Sequence, residues 1–176
     1  MSSRRTGQRE ACVVWLTGLS GAGKTTIARA LLPHLHPVEL LDGDEIRDRF
    51  PGTGFTREER RKHVLRVGFM AHLLEKHGVN VACSLISPYA ADRTAVKSMC
   101  KNFVEVYVYC PLTVCENRDV KGLYARARRG EIPNFTGIDA PYEPPAVPDV
   151  LVDTSKYTVA ECVATILERL RCSAHK

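Results

Sequence analysis

The 176-residue sequence has no uninterrupted apolar run long enough to cross a bilayer, so a helical membrane span is excluded. Its opening residues, MSSRRTGQRE, lack the apolar core of a secretory signal and read as a basic tail over residues 1–10. No C-x-x-C pair occurs, and the seven cysteines are odd in number, so a disulfide framework is not indicated. Cys12, Cys83 and Cys110 sit inside apolar runs, where unpaired thiols behave as small hydrophobes, and this suits a reduced, cytoplasmic protein. Cys110 and Cys115 leave a redox role open. Internal repeats and low-complexity tracts are also missing. What is present is ordinary globular composition, 44% apolar and 26% charged, which excludes a disordered chain and leads us to expect a single domain over residues 11–176. At this length folding buries roughly 70% of the surface of the unfolded chain, enough for a self-supporting core.

The net charge of +5 is modest and locally concentrated, in Arg57, Arg60, Arg61, Lys62 and Arg66 and again in Lys121, Arg126, Arg128 and Arg129. Such clusters are either phosphate sites or solvated faces, and position decides between them.

Apolar runs place strands at CVVWLTG (12–18), VELLDGD (38–44), VNVACSLIS (79–87), FVEVYVYC (103–110) and DVLVDT (149–154). Helical spacing follows the first run in KTTIARALLPHL. It returns after Thr56, where Glu59 three residues on completes a capping-box pattern and Val64, Val67, Ala71 and Leu74 form a buried face up to Gly78. Further helices are expected from about Asp92 to Cys100, after Pro111, and from Thr158 to Leu170. Strands alternating with helices specify an α/β fold of three αβα layers around a mainly five-stranded parallel sheet. The stretch KGLYARARRGEIPNFTGIDAPYEPP (121–145) fits none of these elements. A loop of more than roughly 12 to 15 residues in a compact domain is usually functional, and the segment from about 118 to 148 reads as a lid with Gly122, Gly130 and Gly137 as flexible points.

GLSGAGKT (18–25) matches G-x-x-x-x-G-K-[ST] between an expected strand and an expected helix, the context that makes the motif a P-loop. Its glycines let backbone N–H groups face phosphate oxygens, and the following helix N-terminus adds partial positive charge. ATP contacts are expected from Gly18, Ser20, Gly21, Ala22, Gly23, Lys24, Thr25 and Thr26, with Lys24 reaching the β- and γ-phosphates and the Thr25 hydroxyl ligating Mg²⁺. No N-K-x-D guanine signature occurs and the chain is short for a motor ATPase, which favours a small-molecule kinase. In LDGDEIR (41–47) Asp42 and Asp44 lie at the carboxyl end of a strand, where open α/β sheets bind ligands. Asp44, with Arg47 three residues on, is the better candidate to accept the proton of an acceptor hydroxyl or to hold the metal. Arg60, His63 and Arg66 share one helical face and could address one anion.

DGDxxR, ISPY (86–89) and above all KGLY followed by GEI and FTGIDAPYEPP resemble the adenylylsulfate kinase (APS kinase) family, in order from about Val13 to about Leu170. The resemblance implies transfer of the ATP γ-phosphoryl group to the 3′-hydroxyl of adenosine 5′-phosphosulfate (APS) and a homodimer; with the basic clusters used on two anionic nucleotides and no apolar span, no nucleic-acid or membrane partner is expected. It makes Lys24 and Asp44 catalytic and Arg47, Arg60 and His63 substrate-binding. Phe55 and Phe135 become two rings that sandwich the substrate adenine, Ile86 and Ser87 contacts after the third strand, and Lys121 and Asn134 lid contacts. Ser87 also matches a serine that is phosphorylated in some members, so a covalent role stays open beside a contact role. Three positions depart from the family pattern: His63 stands for Asn, Ala90 for Arg, and Leu65 for the first of two arginines. A kinase for another metabolite alcohol and a non-catalytic nucleotide-sensing module are the competing readings.

Overall fold

The computed structural model describes residues 10–50 and 52–173; apart from Glu10, the expected basic tail lies outside them. Strands β1 (Val13–Thr17), β2 (Val38–Asp42), β3 (Asn80–Ser84), β4 (Phe103–Tyr109) and β5 (Val150–Asp153) form one sheet in the order β2-β3-β1-β4-β5. Every neighbouring pair is parallel. All five residues of β1 are buried, as an apolar central strand covered on both faces must be. Val14 and Leu16 enter a core shared with Ile27 and Leu31 of α1 (Lys24–Leu31) and Ile166 of α7 (Val159–Ser173). Val13 and Trp15 enter a second core with Val64, Val67 and Ala71 of α3 (Arg57–Lys76) and Val96 of α4 (Ala90–Met99). Period-two alternation in one strand thus feeds two helical layers. Helices α3 and α4 approach so closely that a Cβ at Gly68 would collide with Val96.

The capping box at Thr56 and Glu59 opens α3 as expected, and Thr158 with Glu161 repeats it at α7. Two elements differ from the sequence reading. Strand β2 stops at Asp42 because that carboxylate caps a short helix, α2 (Gly43–Arg49), accepting from the Asp44 and Glu45 backbone N–H groups. The stretch 121–145 is not wholly irregular: after α5 (Leu112–Arg118) it contains α6 (Leu123–Arg128), fixed by the Asp119 carboxylate on the Tyr124 and Ala125 N–H groups.

Candidate active site

The carboxyl ends of all five strands open on one edge, and the expected site residues gather there. Gly18 leaves β1 so close to β4 that a Cβ would strike the Val108 carbonyl oxygen. Gly23, at φ 94, turns the chain into α1, whose first backbone N–H groups have no side-chain cap. Uncapped amides at the positive end of a helix suit phosphate oxygens. Lys24 is buried and its Nζ donates to the Leu19 carbonyl at 2.7 Å, inside the loop itself. Burial pulls its pKa down to about 8, against the leading opposite pull of Asp44. The ammonium is therefore poorly neutralised by the protein, and phosphate oxygens would supply what it lacks.

The Thr25 hydroxyl donates to Asp42 Oδ2 at 2.7 Å and lies 2.9 Å from Ser84 Oγ. Among the described residues no cluster of three or more His, Cys, Asp or Glu could hold a metal by itself. Hard oxygen donors without a protein cage fit Mg²⁺, which keeps several waters and is bound through few protein oxygens plus substrate phosphates. Asp42, ranked second to Asp44 in the sequence, is the carboxylate placed beside Thr25. On the outer rim Arg118 bridges Gly21 O at 3.3 Å and Thr154 O at 2.7 Å, and Thr154 Oγ1 donates to Ala22 O at 2.8 Å. Tyr124 in the lid donates to Ser20 O at 2.9 Å. No local motif announces Arg118 or Thr154, whereas Tyr124 belongs to the KGLY run.

Facing this loop, Asp44 is exposed and pairs with the lid residue Lys121 at 2.6 Å. Partial burial would raise the Asp44 carboxyl, but the Lys121 bond and charge, then Lys24 and Arg47, hold it below its ordinary value. Arg47 lies over the Phe55 ring at 4.5 Å and donates to Gly54 O at 2.6 Å. Arg60, buried, donates to Phe55 O at 2.8 Å and to Asn134 O at 2.6 Å, so one guanidinium ties together the two segments that carry the expected aromatic pair. Phe55 is half exposed, whereas Phe135 is buried with its ring edge-on to Tyr124 at 5.0 Å. Arg66 does not point to the same place as Arg60: it covers Phe50 at 4.5 Å and donates to Thr53 Oγ1. Among the described residues no carboxylate lies within salt-bridge distance of Arg47, Arg60 or Arg66. His63, near enough to Arg47 and Arg66 to feel their charges, is 2% exposed, and among the described residues neither ring nitrogen makes a well-formed hydrogen bond, the Gly43 backbone being the polar group that bears on it. Burial, then the Arg47 charge, pushes its pKa down to about 4.

Burial bears on two roles that the sequence left open. Ser87 is 2% exposed, in a left-handed turn at φ 38, and its Oγ accepts from the Trp15 indole N–H at 3.1 Å. A hydroxyl buried against an indole N–H is poorly presented to a phosphoryl donor, and in this conformation Ser87 serves the turn. Half-buried Ile86 contributes its carbonyl to that turn, accepting from Thr17 Oγ1 at 2.7 Å. Cys110 and Cys115 are also buried, and burial pushes the Cys115 thiol up to about 12, which disfavours a thiolate at Cys115.

Residues 10–153 match the family model for adenylylsulphate kinase, most of the chain. The chain belongs to the APS kinase family. It is 49% identical over 168 residues to the adenylyl-sulfate kinase of Synechococcus sp. (strain JA-3-3Ab), covering 93% of this chain and 96% of that one. A probable adenylyl-sulfate kinase of Synechocystis sp. is 52% identical, covering 93% and 95%. Among solved structures, the Mycobacterium tuberculosis APS kinase in complex with AMPPNP and APS superposes with a TM-score of 0.85 at 36% identity, covering 93% of this chain and 99% of that one. A five-stranded parallel P-loop kinase fold is what this APS kinase family member shares with it, in agreement with the sequence reading.

Proposed function

We infer that this chain transfers the γ-phosphoryl group of ATP to the 3′-hydroxyl of APS, giving ADP and 3′-phosphoadenosine 5′-phosphosulfate. The observation that carries the acceptor is the pair Arg47 and Arg60, which among the described residues have no carboxylate within salt-bridge distance and lie over the ring of the half-exposed Phe55, with the buried His63 near them. Guanidinium groups left unneutralised complement phosphate and sulfate oxygens, and an open ring offers a face to a base.

ATP would lie over the P-loop with its phosphates against the α1 N-terminus and Lys24. Thr25 and Asp42 would hold Mg²⁺, which when bound draws negative charge from the phosphate oxygens. Asp44 stands between the donor and acceptor sides and takes the hydroxyl proton on its carboxylate as the oxygen attacks the γ-phosphorus and the bond to the β-phosphate oxygen breaks. Paired with Lys121 its pKa is lowered, and even after that ammonium leaves a carboxylate is a weak base. That is tolerable because a loose phosphoryl-transfer transition state depends more on alignment and charge neutralisation than on base strength. For Asp44 to act, Lys121 must leave it, and the departing ammonium is then free for phosphate oxygens when the lid covers both nucleotides. Closure also excludes water, which would otherwise compete with the hydroxyl.

Incubation of the pure protein with ATP, Mg²⁺ and APS tests this reading. The expected products are ADP and the 3′-phosphorylated nucleotide in equal amounts; absence of turnover at saturation refutes it. A homodimer in the cytoplasm is the setting the family resemblance supports, and the mass in solution from light scattering checks the dimer.

A further inference from the structure

Away from the reacting groups, one buried cation joins three segments that meet under the acceptor side. Arg93 of α4 has a side chain only 3% exposed and spends its fork on Glu105 Oε1 of β4, the Ser87 carbonyl and the Glu143 carbonyl, each at 2.8 Å. Glu105 is the sole carboxylate in the set. The Ser87 carbonyl belongs to the left-handed turn after β3, and Glu143 to the stretch by which the chain returns from the lid. That stretch is pinned again around the same point: Glu143 N–H donates to Pro88 O at 2.8 Å, and the Glu143 carboxylate accepts from the Ala90 N–H at 2.7 Å. Tyr142 shares a hydrogen bond with Thr17, the last residue before the P-loop, and Thr17 in turn holds Ile86 O.

The path from this anchor to the acceptor loop is short and stiff. The Phe135 carbonyl accepts from the N–H groups of Ile138, Asp139 and Ala140, and the Asp139 carboxylate accepts from those of Asn134 and Phe135. Residues 134–140 are therefore a knot that moves as one piece, and Pro141 and Tyr142 connect it directly to Glu143. A buried ion pair is weak evidence for stability, since apolar residues can fill the same space at no loss. A planar guanidinium with fixed donor directions is good at setting geometry.

We propose that Arg93 is a positioning residue for the acceptor: it locks the returning foot of the lid to the Ile86–Ser87 turn, so that the Asn134–Phe135 knot reaches the same place at each closure. The proposal rests on the acceptor being APS. Arg93→Lys keeps the charge beside Glu105 but loses the fork; we expect KM for APS to rise roughly tenfold while KM for ATP stays within about twofold. Glu105→Gln, which keeps an oxygen for the Arg93 Nε–H but removes the carboxylate charge that holds it, should raise KM for APS about threefold with KM for ATP unchanged, and it decides the matter if Arg93→Lys does not fold. A purely structural role would lower the active fraction, and hence kcat, with both KM values unchanged; that result overturns the proposal, as do folded variants whose KM for APS is unaltered. A wild type without APS turnover refutes the functional reading itself, whereas a turning-over wild type with unaltered variants refutes only the part given to Arg93.

Discussion

Replacing His63 by Asn should flatten the acid limb of the stability curve. His63 is buried near Arg47 and Arg66 with no well-formed hydrogen bond to either nitrogen among the described residues, and burial followed by the Arg47 charge takes its pKa to about 4 from an ordinary value of 6.5. The backbone at Gly43 and the Asp44 charge pull the other way but do not prevail. Between these two values the unfolded chain binds a proton that the folded chain refuses, so stability rises with pH from about 4 to 6.5 and is lost as pH falls through that window. At pH 4.5 the loss relative to pH 7 is about 2 to 3 kcal/mol from this residue alone, since each unit of displacement is worth about 1.4 kcal/mol. Other titrating groups contribute to the total, and they cancel in the difference between wild type and His63→Asn. Urea unfolding followed by circular dichroism at pH 7, 6, 5 and 4.5 reads that difference. Parallel stability curves for the two proteins would refute the reasoning, because they would mean that His63 accepts its proton as readily folded as unfolded.

Three further outcomes are expected. Lys24 is charged below its pKa of about 8 and loses its proton above it; KM for ATP should be flat below pH 8 and rise by roughly tenfold per unit above, and Lys24→Arg should remove the rise if the variant still turns over. Gly18→Ala forces a Cβ onto the Val108 carbonyl, and urea unfolding should show a loss of about 2 kcal/mol or more. Limited proteolysis within residues 118–148 should slow when ADP and APS are bound together, since the Lys121–Asp44 pair then gives way to contacts with both nucleotides; unchanged cleavage would count against a ligand-ordered lid.

The strands were legible because buried parallel strands are written as continuous apolar runs, and α3 because its capping box and its buried stripe agree. Helix α2 was not, since GDEIRDR buries only Gly43 and Ile46 and has no apolar face to detect. The P-loop could be read as a site because its functional atoms are contiguous. Bonds such as Thr25 to Asp42, Arg118 to Thr154 and Arg93 to Glu143 join residues far apart in sequence, and no local pattern encodes them. At Ser87 the motif left a covalent role open beside a contact role, and the Trp15 indole N–H on its hydroxyl, a bond between residues far apart in sequence, favours a structural one. The acceptor side was named from the resemblance of residues 121–145, while its physical cause, arginines left without carboxylates around an open ring, is a property of the folded chain.

We propose that the cleft selects its acceptor through Phe55 and the Arg47 and Arg60 guanidinium groups over its ring. Phosphoryl transfer from Mg·ATP to a panel of alcohols, with Lys24→Ala and Asp44→Asn beside the wild type, tests it most directly. We predict that kcat/KM for APS exceeds that for any sugar or simple metabolite alcohol by roughly a hundredfold or more, and that Lys24→Ala loses more activity than Asp44→Asn. Comparable turnover of a sugar alcohol, or an Asp44→Asn loss larger than that of Lys24→Ala, would contradict it.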